Sequence, residues 1–164
     1  MLRIIVLAWD KNRDKLREAL SQRTDLDSIE YIDLVKLTFE VVYNSSAAVA
    51  FPYEDRKIDL EHITVIDNGN YQGTLLFVLP FDTYQPSENE YLMTFVGYGS
   101  CSGCDTLKAI QCYYDGDTPS EKQLNEFMML CKDILTNTIK PYNNGWRYSD
   151  LFDQFKGEEN NGKF

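Results

Sequence analysis

Apolar residues recur at helical intervals from the start of the chain. Over residues 10–21, Leu16, Ala19 and Leu20 share one face and charged residues take the rest, as in an amphipathic helix. Upstream, Leu2, Ile5, Val6 and Trp9 continue close to that stripe, although the β-branched run Ile4-Ile5-Val6 pulls toward strand. The reading is one helix over about residues 2–21. Ile32, Val35, Phe39 and Val42 then space a second helix over Ile29–Tyr43, ending near Asn44, with residues 44–52 as a loop.

The period changes in the middle of the chain. His62–Ile66, Gly73–Pro80 and Tyr91–Tyr98 are rich in Val, Ile, Leu, Phe and Thr and are bounded by turn residues, so they read as strands. Asp67-Asn68-Gly69-Asn70 is a strong turn, because Asn and Gly tolerate positive φ. Connections this short favour an antiparallel meander, since a parallel return needs a crossover of a dozen residues or more. Leu75-Leu76-Phe77-Val78-Leu79 is apolar on both alternating faces, which predicts the central strand.

Helices return after the third strand. Cys104–Tyr113 predicts a short one. Thr118-Pro119-Ser120-Glu121 reads as a helix start, with Thr118 as N-cap, Pro119 first and Glu121 third. Leu124, Phe127, Met128, Cys131, Leu135 and Thr138 mark one face of the long helix that follows, closed by Pro141. Trp146, Leu151, Phe152 and Phe155 suggest a docking helix, and residues 157–164 a disordered tail. The expected fold is α+β: a single domain over residues 1–156, in which a small three-stranded antiparallel meander packs with N-terminal and C-terminal helices. No repeat or linker divides it.

Composition adds bounds to this picture. The 164 residues are 43% hydrophobic and include 9 Phe, 11 Tyr and 2 Trp, enough for a real core. A formal net charge of −10 argues against direct nucleic-acid binding, which draws on clustered Lys and Arg. The apolar start Met1–Trp9 is shorter than the roughly 20 residues of a membrane span and lacks a small-residue cleavage site. Four cysteines are sparse for a disulfide scaffold, so a reducing, cytoplasmic location without membrane association is expected.

Candidate chemistry centres on Tyr98-Gly99-Ser100-Cys101-Ser102-Gly103-Cys104-Asp105, placed where a strand hands over to a helix. Its glycines and serines permit a tight turn, and amides beside a helix start lower a thiol's pKa. In Cys-x-x-Cys, one thiolate can attack and the other resolve. The bland alternative makes Cys101 and Cys104 buried parts of a turn and helix start. Zinc is a third reading: Cys101 and Cys104 supply half of a structural site, and Cys112 and Cys131 would have to converge on it. Cys131 on an apolar helix face, and Cys112 with it, read more simply as core positions.

His62, the only histidine, excludes sites built on several histidines and would pair with Cys101 only across the meander. Asp67 and Asp82 flank the central hairpin as turn residues or as part of an acidic face. Asp115, Asp117, Glu158 and Glu159 read as solvated loop and tail. The tyrosines at 113–114 and 142–148 read as rim packing. No phosphate-binding glycine loop, zinc-protease motif or nucleophile elbow is present.

Tyr71-Gln72-Gly73 followed by the segment from Tyr98 to Leu107 resembles a family of small proteins of bacteria and tailed bacteriophages, over roughly residues 60–112. The resemblance implies a source and singles out Tyr71, Gln72, Gly73, Tyr98, Ser100, Ser102 and Asp105 as binding-motif candidates. It implies no mechanism. In a phage setting, a small acidic protein is expected to act by binding another protein, as an inhibitor or anti-defence protein does, sometimes by mimicking nucleic acid. Three expectations therefore stand together: a protein-binding accessory protein without cofactor, a thiol-dependent enzyme or redox protein using Cys101 and Cys104, and a zinc-stabilised module.

Overall fold

The structure, a computed structural model, describes residues 2–46, 56–87, 89–112 and 118–139, with side chains from residue 5 onward. Helix α1 (Leu2–Ser21) runs through the β-branched start without a break. Ile5, Ala8, Asn12, Leu16 and Leu20 are all buried, so one helical stripe spans both halves and outweighs the local strand preference. Asn12 is the polar member of that stripe. Its Nδ2 donates to the carbonyls of Ala8 and Val42, each at 3.3 Å, and to the Ser46 hydroxyl.

The second helix divides into α2 (Tyr31–Thr38) and a π-helical turn over Phe39–Asn44. The sequence reading carried one helix to the same end without the change of pitch. The wider turn buries Val42, Tyr43 and Asn44 in succession, and the Val42 carbonyl turns toward Asn12. Asn44 then behaves like a strand neighbour: its Oδ1 accepts from Ile58 N at 2.8 Å, and its Nδ2 donates to Ile58 O at 3.1 Å. Ile58 in turn bridges Phe81, so the end of the π turn is tied to the end of the sheet. Of the predicted loop at 44–52, residues 47–52 lie outside the described residues.

The sheet is the expected meander, β1 (Thr64–Asp67), β2 (Gly73–Pro80) and β3 (Tyr91–Tyr98), in the order β1-β2-β3. Apolar on both faces, β2 is the central strand. Leu75, Phe77 and Leu79 face the helices with their β3 partners Val96 and Leu92. Leu76, Val78 and Met93 form a second buried cluster on the other side, with Ile66, Tyr91 and Phe95 packed against it. Full burial of rings such as Phe39, Phe77 and Phe127 contributes about 1.5–3 kcal/mol each.

A short helix and a long one follow the sheet, α3 (Thr106–Gln111) and α4 (Glu121–Thr136). The α3 start corrects the sequence reading: Asp105 is the N-cap, so Cys104 lies before the helix. The α4 start is corrected too. Ser120 is the N-cap and shares a capping box with Gln123, two residues beyond the predicted Thr118. Gln123 is buried, and its Nε2 reaches Ile110 O at 3.4 Å, so the cap that links α4 to α3 is the one formed. Leu124, Phe127, Cys131 and Leu135 are buried as read, while Met128 is only partly covered. After α4, Ile139 pairs with Met93 through two backbone hydrogen bonds, extending the sheet beyond the β3 edge. Residues 140–164, with the proposed docking helix and tail, lie outside the described residues. No helix among the described residues is long and apolar enough to cross a membrane.

Candidate functional site

Asp105 organises the segment that carries the cysteines. It is buried, with 4% of its surface exposed, and its carboxylate meets three donors. Oδ2 accepts from Gly99 N at 3.1 Å, and Oδ1 accepts from Lys108 N and from the Tyr31 hydroxyl, each at 3.0 Å. The Tyr31 oxygen accepts in turn from Leu107 N at 3.2 Å. Burial pushes the Tyr31 phenol's pKa up, and the Asp105 carboxylate adds to the effect, so the hydroxyl stays a donor. Lys108 completes the closure, with Nζ donating to Gly99 O at 3.0 Å.

These bonds clamp the neck of a loop between buried Gly99 and buried Asp105, and residues 100–104 all stand exposed above it. The glycine is a steric requirement. A Cβ on Gly99 would lie 2.4 Å from Cys104 Sγ and 2.5 Å from Cys104 O. Inside the loop, Cys104 N donates to Cys101 O at 3.0 Å. The two sulfurs are 3.0 Å apart, and Cys101 N–H points at Cys104 Sγ from 3.2 Å.

The alternative in which the motif thiols are buried is therefore overturned: Cys101 and Cys104 are both exposed, and so is Cys112, which the sequence pattern places in the core. Cys112 ends α3 on its outer side, away from the apolar positions Leu107 and Ile110. Cys131 alone is buried, and desolvation raises its pKa to about 12. Cys104 moves the other way. The Cys101 thiol, then the Cys101 amide, then Ser100 hold it below the ordinary thiol value. The cause lies in hydrogen bonds within the turn, and around it the amides of Gly99, Cys101, Leu107 and Lys108 are bonded to Asp105, Cys104 and Tyr31.

A cleft of about 520 Å³ adjoins the neck of this loop. Its sheet side carries Val65, Asp67, Leu75, Phe77 and Tyr98, and its helix side is built from residues 28–32 and from Asp105, Leu107, Lys108 and Gln111. The Tyr98 hydroxyl donates to Asp67 Oδ1 at 2.6 Å, and Asp67 Oδ1 also receives Gly69 N at 3.0 Å. Asp67 is thus a turn residue and a cleft residue at once. Asp82 stands exposed and is not part of the cleft.

Of the sequence candidates, the structure brings together Gly73, Tyr98, Cys101, Cys104 and Asp105. Gly73 faces Tyr98 in the ladder, which joins the two motifs in space. Ser100 and Ser102 lie on the exposed loop, while Tyr71, 81% exposed, and Gln72 do not line the cleft. His62 and Cys101 are kept apart. His62 bonds Asp59 at 2.6 Å near the β1 start, which registers with Val78 and hence with Met93, whereas Cys101 follows the opposite end of β3. No three His, Cys, Asp or Glu among the described residues are grouped to hold a metal ion.

Sequence reasoning missed Tyr31, Lys108 and Val65. A tyrosine on the buried stripe of a helix requires a partner for its hydroxyl, and that signal was available for Tyr31. An aspartate directly before a short helix is likewise a capping signal. Comparison with known proteins adds no relative: no family model, curated protein or solved structure matches the chain.

Proposed function

We propose that this chain is a thiol-dependent protein whose Cys101 and Cys104 cycle between dithiol and disulfide. The exposed pair of sulfurs 3.0 Å apart, held on a clamped turn, carries the reading. Disulfide bonding needs the sulfurs to close to about 2.05 Å, roughly 1 Å nearer, which an exposed turn above a fixed neck can accommodate. Cys104, with the lowered pKa, is the nucleophile. Its thiolate attacks one sulfur of a substrate disulfide, forming a mixed disulfide and expelling the first substrate thiolate. Cys101 then loses its proton and attacks Cys104 Sγ, expelling the second. The substrate disulfide leaves as two thiols and the protein keeps the oxidised pair.

In this reading the protein works in a reducing cytoplasm, of a bacterium or of a phage-infected cell, where transient disulfides are catalytic or sensing ones. The test is equilibration in glutathione redox buffers, followed by maleimide labelling and peptide mapping. A two-electron transition joining Cys101 to Cys104, absent in Cys101→Ser, is the expected result. Failure of that disulfide to form, or undiminished disulfide exchange in Cys101→Ser, overturns the reading. Binding to another protein, the expectation from charge and resemblance, is the second reading, and the cleft beside the thiol turn favours it.

A further inference from the structure

The cleft beside the thiol turn has the size of a ligand site, within the range of roughly 300–1,000 Å³. Its floor is apolar. Val65 faces the helices in register with Phe77, yet Val65 is 43% exposed while Phe77 is 0% exposed. The uncovered apolar position therefore faces into the cleft. Tyr98 and Asp105, the residues flanking the turn's neck, are both lining residues, so a ligand on this floor abuts the base of the cysteine loop.

The charges at its edge are unequal. Lys108 has one ammonium hydrogen committed to Gly99 O, and Asp105 is occupied by the neck. Glu30 and Asp67 are exposed, and Asp67 uses only Oδ1 for Tyr98 and Gly69, which leaves Oδ2 for a donor. The Glu30 side chain also takes part in the capping box at the α2 start, but carboxylates still outnumber the single ammonium of Lys108 on this lining, and an apolar floor with such an edge complements an apolar side chain next to a basic one.

We infer that this cleft docks the substrate of the thiol pair, a disulfide-bearing peptide with an apolar residue beside its cysteine and a basic residue reaching Asp67 and Glu30. An extended peptide suits it, because alternate side chains can face the floor and the solvent. The inference rests on the thiol reading for its chemistry, though the docking can be measured without it.

Two peptides decide it, each carrying a thionitrobenzoate mixed disulfide on its cysteine: one with arginine and phenylalanine before the cysteine, one with glutamate and serine. Release of thionitrobenzoate by the reduced protein gives a rate constant for each, and their ratio cancels general thiol reactivity. The expected ratio favours the arginine–phenylalanine peptide on the order of tenfold, the scale of one apolar group in a pocket. Val65→Arg should bring the ratio close to one, and Asp67→Asn should lower it, with circular dichroism confirming that both variants fold. Equal rates in the parent protein overturn the proposal. If the thiols prove unreactive, calorimetric titration with the arginine–phenylalanine peptide carrying serine for cysteine decides the docking alone. Binding lost in Val65→Arg supports the cleft and removes only the thiol chemistry, whereas no binding overturns the cleft itself.

Discussion

Gly73 lies directly opposite Tyr98 in the ladder between β2 and β3. The Tyr98 hydroxyl ends 2.6 Å from Asp67 Oδ1, on the far strand β1. That bond to a carboxylate raises the phenol's pKa and keeps it protonated. One pairing therefore joins the Tyr71-Gln72-Gly73 segment, the β1 end and the start of the cysteine loop.

Alanine at either of two glycines should damage this arrangement. A Cβ on Gly73 would lie 2.8 Å from Gly69 Cα, and one on Gly99 2.4 Å from Cys104 Sγ. Each substitution is expected to cost about 1–3 kcal/mol in urea unfolding. Gly99→Ala should in addition slow closure of the Cys101–Cys104 disulfide. Gly103→Ala is the control, since its Cβ would stand 3.8 Å from Cys101 Sγ, an ordinary contact.

Removing the Asp105 carboxylate strands its donors. Asp105→Ala leaves the Tyr31 hydroxyl and Gly99 N–H without their acceptor in a buried neck, and a loss on the order of 3 kcal/mol is expected. Tyr31→Phe removes one of the same donors. The double variant should therefore lose less than the sum of the two, by at least about 0.5 kcal/mol. Strict additivity in denaturant titrations would show that the two residues do not act together.

Thiol counting separates the four cysteines. Under native reducing conditions an aromatic disulfide reagent should titrate Cys101, Cys104 and Cys112 readily and spare Cys131, whose pKa is pushed up to about 12 by burial. Denaturant should release the fourth thiol. Prompt native reaction of Cys131, located by mass spectrometry, would contradict its placement.

The lowered pKa of Cys104 has a defined pH signature. Iodoacetamide labelling of Cys104 should reach half its plateau rate below the pH at which the same thiol does so in the unfolded chain. Cys101→Ala should move that midpoint upward, because the Cys101 thiol is the largest cause of the shift. For an acid whose folded pKa is depressed, the linked stability is present above the unfolded pKa and is lost as pH falls through the folded one. Reduced protein should accordingly gain stability as pH rises across that window, and Cys104→Ser should lose this component.

The start of α4 distinguishes two neighbouring hydroxyls. Ser120→Ala should cost about 1 kcal/mol, the usual loss of an N-cap, since Ser120 Oγ accepts from Gln123 N. Thr118→Ala should stay within about 0.5 kcal/mol, as an exposed substitution outside the cap. Thermal melts of the two variants are sufficient to check the order.

Local periodicity made most of the architecture legible, because it reports which face of an element is buried. The positions Leu2, Ile5, Val6, Trp9, Leu16, Ala19 and Leu20 marked α1, with Ile5, Leu16 and Leu20 buried and Val6 exposed, and the doubly apolar run from Leu75 to Leu79 marked the central strand. Short turns between the strands made the meander antiparallel. Tertiary structure alone decided what depends on register and on partners distant in sequence. Tyr31 meets Asp105 across 74 positions, and Gly73 meets Tyr98 only through the ladder. Burial of Gln123 against Ile110 selected Ser120 over Thr118 as the cap, a choice local signals leave open. The same holds for the thiols. Spacing identified Cys101 and Cys104 as a pair, but their exposure follows from the buried Asp105 neck that lifts the loop into solvent.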